Sequence, residues 1–397
     1  QLLCARVAAM SVQHALISPK AVDRLQAGHL WIYRSDVLEC AASPGSIVIV
    51  KDKKGRIYGR AFYSSNSLIT LRLITQEDRD IDKNFWRQRI QQASHLRERV
   101  VQNSEVFRLV HGEGDWMPSI IVDRYGDVFS IQTLSQGSEQ VKPALTELLL
   151  ELFEPKAIIE RNDSKVRTLE GLPQMISILH GSDPGEIVCR ENGLPFYYQL
   201  LSGQKTGAFL DQRENRVWAT AVAHGSALDC FCYSGSFAVH LASVCDEVEA
   251  IDMSESAVAL GRRNADLNGL SKVQFETENV FDRLKLYDHL KRRFDTIVLD
   301  PPAFAKNRSH VEAAVRGYRE INLRALRLLN PGGVLVTASC SQLIDETLFL
   351  NLLTQAASDA RKKVQVLQKR TQGQDHPFLL SMPETFYLKC LILRVLD

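Results

Sequence analysis

From about residue 213 the chain alternates short, β-branched apolar runs with stretches of helical period, a rhythm that points to a doubly wound α/β sheet. The expected strands are Ala227–Cys232, Glu247–Asp252, Val273–Thr277, Thr296–Asp300 and Val334–Ser339, with helices between them. Phe386–Val395 closes the chain as a strand-like run with no helix after it. That ending predicts a seven-stranded sheet whose last strand is antiparallel. In such sheets ligands sit beyond the carboxyl ends of the strands, so residues just after each strand are the first candidates for chemistry.

A chain of 397 residues is too long for one ordinary core, and the segment before 213 reads differently. Val12–Ile17, Ser46–Lys51, Ile57–Tyr63 and Leu68–Ile74 are short strands separated by turn residues, with a short helix at Lys20–Ala27. This predicts a small barrel-like β module over residues 11–80. Phe85, Trp86, Ile90, Ala93, Leu96 and Val100 recur near helical spacing after Asp82, so 81–103 is read as a connecting helix. Residues 104–190 form a small α+β unit: a hairpin of Ser119–Asp123 and Val128–Leu134, a helix Ser138–Phe153 and a strand Ala157–Glu160. Glu186–Arg190 and Leu194–Leu200 read as a further hairpin, and the doubly wound domain takes 191–397.

Composition narrows the class. No run of about 18 apolar residues exists, so a spanning helix is not expected. Gln1–Met10 lacks a signal-peptide cleavage pattern, and Met10-Ser11 is read as the natural start. The eight cysteines are scattered without a small-scaffold pattern, which points to reduced thiols in the cytoplasm. Cys230 and Cys232 lack further ligands at zinc spacing, so no metal is expected. Net charge is +1, which neither demands nor excludes a nucleic-acid partner. Locally, Lys51, Lys53, Lys54, Arg56 and Arg60 crowd one hairpin that suits phosphate contacts, though taken alone it reads first as a solvated turn.

The cofactor signal begins at Ala227-Leu228-Asp229-Cys230-Phe231-Cys232-Tyr233-Ser234-Gly235-Ser236-Phe237, a strand, a tight turn and a helix start. A dinucleotide site wants three spaced glycines, and only Gly235 is present. S-adenosylmethionine carries no phosphates and needs fewer glycines, and Asp229 suits its cationic amino group. Asp252 ends the second strand, where a carboxylate accepts ribose hydroxyls. Asn279 follows the third, where its amide can bond an adenine edge. Any one of these acids alone is an ordinary loop charge; the ordered set is what points to a cofactor.

The chemistry signal lies after the fourth and fifth strands. Asp300-Pro301-Pro302-Ala303-Phe304 is a stiffened loop, with Phe304 as a stacking face for a planar base. Cys340 stands in Ser339-Cys340-Ser341. Read alone, a cysteine after an apolar strand is a small buried hydrophobe. Beside a carboxylate it suits nucleophilic chemistry, because a thiolate adding to C6 of a pyrimidine makes C5 nucleophilic enough to take a methyl group. Asp300 then holds the N3 edge. Thr206–Arg213 reads as a helix-leading loop or a cover for the cofactor.

On these residues the chain resembles the bacterial 23S ribosomal RNA cytosine-5 methyltransferases that carry an N-terminal PUA domain. The resemblance is carried by Lys205–Arg213, Cys230–Phe237, Asp300–Phe304, Arg316-Gly317-Tyr318 and Ser339-Cys340-Ser341, and upstream by Gly28–Tyr33 and His111–Gly126. It implies a PUA domain, a middle domain and a class I methyltransferase domain. It also implies large-subunit ribosomal RNA as partner, a homodimer, and Cys340 as nucleophile with Asp300 beside it. Gln212, Asp229, Phe231, Tyr233, Ser234, Gly235, Asp252, Asn279 and Asp300 become the cofactor set. Pro301, Pro302, Phe304, Lys51, Lys53 and Lys54 face the RNA. The family usually has Asp where Asn279 stands. Two rivals remain at this level: a ribosomal RNA guanine methyltransferase, which needs no cysteine, and a non-catalytic RNA-binding assembly factor.

Overall fold

A computed structural model describes residues 13–203, 207–305 and 307–397. Gln1–Met10, the Met10-Ser11 start, Val12 and the Lys205-Thr206 part of the cover loop lie outside the described residues. The chain divides into two compact units. One holds residues through Arg97 together with Arg108–Pro184 and Phe378–Met382; the other holds Glu98–Phe107, Gly185–Pro377 and Pro383–Asp397.

The first unit contains two sheets. His14–Ile17, Trp31–Tyr33, Val37–Cys40, Ile47–Lys51, Ile57–Tyr63 and Ile69–Thr75 form a six-stranded sheet. It closes over a core of Ala15, Ile17, Leu30, Ile32, Val48, Val50, Ala61, Leu71 and Leu73. Gly59 has φ +125°, and a Cβ there would stand 1.9 Å from the Thr75 carbonyl oxygen, so two strands approach more closely than a side chain permits. Val106–His111, Ile120–Tyr125, Val128–Thr133, Ala157–Asn162 and Met175–His180 form a five-stranded sheet. The helix Gln136–Phe153 starts at Ser135, whose hydroxyl accepts from Ser138 N. The expected connecting helix runs Lys83–Val100, and its Arg97 is buried with both terminal nitrogens on Asp115 at 2.6 and 2.7 Å.

The boundary expected at 190/191 falls instead between Pro184 and Gly185. The reason is the hairpin Glu186–Glu191/Leu194–Gln199, whose register from Glu186↔Gln199 to Glu191↔Leu194 makes it one element that a boundary cannot cut. Tyr197 N donates to Asn264 Oδ1 at 2.9 Å and Asn268 Nδ2 donates to the Pro195 carbonyl at 2.8 Å, which tie the hairpin to the second unit.

The second unit is a seven-stranded sheet with helices on both faces. Its strands are β1 (Ser226–Cys230), β2 (Glu247–Asp252), β3 (Val273–Thr277), β4 (Phe294–Leu299), β5 (Leu329–Ser339), β6 (Val364–Arg370) and β7 (Lys389–Val395). Its helices are α1 (Arg213–Thr220), α2 (Ser236–Leu241), α3 (Glu255–Leu267), α4 (Val280–Leu290), α5 (Val311–Leu328) and α6 (Glu346–Ala360). The strand order is β3-β2-β1-β4-β5-β7-β6, with β1 to β5 parallel and β7 antiparallel between β5 and β6. This is the class I methyltransferase arrangement that the closing strand predicts. The order reverses between β1 and β4, the switch point where such sheets bind ligands. Leu228, Ile251, Ile297, Leu299, Leu335, Leu391 and Leu393 fill the core with Tyr318 of α5 and Phe349 of α6.

Strand β6 escapes sequence reading because it is an edge strand whose Gln365, Val366, Leu367 and Lys369 are exposed. No helix among the described residues is long and apolar enough to cross a membrane.

Leu335 is fully buried in β5. Leu335→Ala is expected to lower the unfolding free energy by ~2–5 kcal/mol through lost burial and a cavity, read by chemical denaturation of the purified protein.

Candidate functional site

The carboxyl ends of β1, β2, β4 and β5 carry most of the residues that the sequence singles out. After β1 the chain turns sharply, with Phe231, Tyr233 and Gly235 at φ 64°, 48° and 77°. Three left-handed residues within five positions fold the turn tightly before α2 begins. A Cβ on Gly235 would approach the Phe275 ring to 2.7 Å. Two hydrogen bonds fix this turn to β2: Cys232 N donates to the Ile251 carbonyl at 3.0 Å, and Tyr233 N to the side-chain Oδ2 of Asp252 at 2.9 Å. Asp252 Oδ1 accepts from Ser254 N at 2.9 Å. Asp252 thus clamps two loops through its two oxygens, and each oxygen keeps a further lone pair. The Ser234 carbonyl accepts from the buried Asn264 Nδ2 at 2.9 Å.

Asp229 is wholly buried. Its Oδ2 accepts from Ala238 N at 2.9 Å, and its Oδ1 is buried with no protein partner. Burial, and then the nearby charge of Asp300, push its carboxyl well above the usual carboxylate range. Such a site stabilises an incoming cationic group strongly, because the carboxylate form otherwise stands uncompensated. Burial likewise pushes up the Cys230 and Cys232 thiols, so they stay protonated. Among the described residues no group of three His, Cys, Asp or Glu is placed to hold a metal ion.

Asn279 ends the loop after β3 and caps α4. Its Oδ1 accepts from Phe281 N at 2.8 Å and from Asp282 N at 3.4 Å, which commits the oxygen to the helix. Its Nδ2 meets Met253 Sδ at 3.9 Å and remains the end of the amide that points away from the cap.

Asp300 follows β4, and its Oδ1 accepts from Gln212 Nε2 at 2.8 Å. Gln212 is buried, with its Oε1 accepting from Asn215 Nδ2 at 2.6 Å. The Leu210–Gln212 segment is therefore bonded into the sheet edge rather than lying loosely over it. Tyr387 Oη donates to Asp211 Oδ2 at 2.8 Å, and Arg213 pairs with Asp375 at 2.7 Å.

Pro301 is buried and Pro302 exposed. Phe304 turns into an aromatic cluster: its ring centroid lies 4.6 Å from Tyr318, 5.9 Å from Phe281 and 6.4 Å from Phe231. The sequence suggests that Phe304 stacks on a base. The structure gives it neighbours that hold the loop, a packing role that no periodicity in the loop announces.

Cys340 stands one residue past β5, half-buried, with Sγ 3.8 Å from the Pro301 carbonyl oxygen. Its neighbour Ser341 is held on several sides: Tyr318 Oη lies 3.0 Å from Ser341 Oγ, and Lys389 Nζ donates to the Ser341 carbonyl at 2.7 Å. Sequence reading missed Tyr318 as a support and missed Lys389 altogether. Only the antiparallel register, which pairs Ser339 with Lys389, brings that lysine to the cysteine end of β5.

Lys51, Lys53 and Lys54 belong to the first unit, where Lys53 and Lys54 are exposed at a hairpin tip. Asp52 organises the tip: Oδ1 accepts from Lys54 N at 2.8 Å and Arg56 N at 3.0 Å, and Oδ2 from Tyr58 Oη at 3.1 Å.

Comparison with known proteins gives a match in each part of the chain. Residues 174–375 match the family described as S-adenosylmethionine-dependent methyltransferase, and residues 16–76 match the PUA-like domain. A protein of Tolumonas auensis named ribosomal RNA large subunit methyltransferase I is 40% identical over 379 residues, covering 93% of this chain and 96% of that relative. A protein of the same name from Shewanella denitrificans is 38% identical, covering 96% and 98%. A solved structure described as an S-adenosylmethionine-dependent methyltransferase from Streptococcus mutans has a TM-score of 0.82 at 19% identity, covering 96% of this chain and 99% of that one. A further structure with the same figures is a methyltransferase complexed with SAH. At that identity the structural likeness speaks for the fold.

Asn279→Ala removes a helix cap. It is expected to cost ~0.5–2 kcal/mol of stability in denaturant titration, with Asn279→Asp close to the parent because it caps as well.

Proposed function

The chain belongs to the S-adenosylmethionine-dependent methyltransferase family with an N-terminal PUA-like domain, and from that membership we propose that it forms 5-methylcytosine in 23S ribosomal RNA, with Cys340 as nucleophile. The relatives named for the large ribosomal subunit support the substrate. The observation that carries the choice of cytosine is a half-exposed cysteine beside the Asp300-Pro301 loop, because guanine methylation needs no thiol there.

The residues at the β1 and β2 ends fit S-adenosylmethionine. Asp229 Oδ1, buried without a partner, is the acceptor left for the cationic amino group. The remaining lone pairs of Asp252 accept the ribose hydroxyls, and Asn279 Nδ2 serves the adenine edge. Phe231, Tyr233, Ser234 and Gly235 form the wall against which the cofactor lies, and Gln212 holds Asp300 in place. When bound, S-adenosylmethionine supplies a methyl group on a cationic sulfonium.

The protein's own part is to make cytosine C5 reactive. Cys340 Sγ forms a bond to C6, and electron density moves to C5 as N3 takes the proton carried by the Asp300 carboxyl group. Pro301 and Pro302 keep the loop that presents Asp300 from relaxing, since each fixes its own φ. Phe304, packed on Tyr318, supports that loop from below. Once C5 carries its methyl, N3 returns its proton to Asp300, the C5 proton leaves to water, and expulsion of the Cys340 thiolate restores the ring. Lys51, Lys53 and Lys54 contribute phosphate contacts, which fix position without reading sequence. The cytoplasm is the place of work on this reading, and sedimentation of the full chain tests the homodimer that the family resemblance implies.

RNA containing 5-fluorocytosine tests the nucleophile. The wild-type protein with cofactor is expected to form a covalent adduct stable to denaturing gels, because fluorine does not leave as a proton does, and Cys340→Ala is expected to form none. An adduct in the variant, or none in the wild type, removes Cys340 from the mechanism. Asp252→Ala is expected to weaken S-adenosylmethionine binding by ~1–3 kcal/mol in calorimetry, from ribose hydroxyls left unpaired.

A further inference from the structure

Lys389 opens strand β7 and is 3% exposed. Its Nζ donates to two neutral acceptors, the Ser341 carbonyl at 2.7 Å and the Tyr387 carbonyl at 2.9 Å. Among the described residues it forms no ion pair with Asp or Glu, so a buried ammonium stands without a carboxylate. A buried charge in that condition is costly, and an apolar residue at the same position would avoid the cost. The anion that can answer it is close by: Ser341, whose carbonyl Lys389 grips, is the residue next to Cys340.

We propose that Lys389 is a positioning residue for the cytosine-5 reaction, the fixed positive charge that favours the thiolate of Cys340 and holds the Cys340-Ser341 backbone in place; this rests on the reading of Cys340 as nucleophile. In the resting protein the Cys340 thiol releases its proton to solvent, and the ammonium keeps its own. The thiolate pair then attacks C6, and the same charge receives the thiolate again when the cysteine is expelled. No redox partner or further reactant enters.

The surroundings agree. Burial pushes the Lys389 ammonium down to about 8, and the charge of Cys340, then that of Asp345, pulls it back up. Asp345 caps α6 through Leu348 N at 2.7 Å, which commits one of its oxygens elsewhere. Tyr318 faces Ser341 from α5, and burial pushes its phenol up, so it stays a neutral hydroxyl. Asp300 acts on the adjacent Cys390, which burial pushes up to about 12 and keeps protonated. Cys340, Lys389, Asp300 and Asp345 are thus the groups whose charges set this corner.

Alkylation tests the inference without RNA or cofactor. The full-length protein is treated with iodoacetamide across pH, and modification of the peptide carrying Cys340 is followed by mass spectrometry. In the wild type the rate is expected to reach half its plateau below about pH 8.5, the value of an ordinary thiol. In Lys389→Met the half-point is expected to move up by about one unit or more, slowing reaction near neutral pH by about tenfold while the alkaline plateau is kept. Lys389→Arg, which keeps the charge, is expected to restore most of the neutral-pH rate.

A wild-type half-point at or above pH 8.5, or the same profile in wild type and Lys389→Met, overturns the proposal. Should Lys389→Met fail to fold in a thermal melt, the wild-type profile alone decides. The 5-fluorocytosine adduct separates this claim from the one beneath it. An intact adduct with an unmoved profile overturns only Lys389, whereas a missing adduct with a shifted profile overturns the cytosine reading and leaves the Lys389 effect on the thiol standing.

Discussion

Everything at this site depends on the pairing of β5, parallel to β4 on one side and antiparallel to β7 on the other. The parallel partner brings the end of β4, and with it Asp300 and Pro301, beside the end of β5. The antiparallel partner runs the other way, so its beginning and not its end meets Cys340. One strand therefore gathers a carboxylate with its rigid proline loop, a thiol and an ammonium, three groups far apart in sequence. A sheet with seven parallel strands would bring only strand ends together and would leave Lys389 at the opposite edge.

The same edge holds a cysteine without burying it, as the proposed nucleophile requires. Cys230 and Cys232 are sealed in the core, and their thiols are pushed up by burial. Cys340 sits one residue beyond the strand, half-buried. Rigidity comes from its neighbours: Ser341 is bonded by Tyr318 and Lys389, and Pro301 lies across from Sγ. Precision is supplied by residues that do not react, a division expected wherever geometry decides rate.

Much of this was legible in the sequence. The seven-stranded sheet followed from strand–helix alternation and a closing strand, because apolar runs with that spacing have few ways to be buried. The order Asp229, Asp252, Asn279, Asp300, Cys340 followed from the rule that parallel strands deliver their ends to one edge. What the sequence withheld was tertiary. Strand β6 is mostly exposed, and its apolar alternation ends after Val364 and Val366. The hairpin at Glu186–Gln199 joins the second unit through Asn264 and Asn268, contacts that no local pattern encodes. Phe304 looks like a loop aromatic waiting for a base, yet it packs on Tyr318, 14 positions along the chain. Asn279 reads as a ligand and is also a helix cap, which leaves its amide nitrogen to offer. Lys389 is one lysine among many until the register of β7 is known.

The central claim is that a cysteine at the end of β5 performs covalent catalysis on cytosine. Its most direct test is transfer of labelled methyl from S-adenosylmethionine to 23S ribosomal RNA lacking the modification, followed by nucleoside analysis, with Cys340→Ala alongside. The mechanism requires label in 5-methylcytosine that disappears in the variant. Label in a guanine derivative that survives the substitution would contradict it and leave Cys340 as a packing residue at the edge of the sheet.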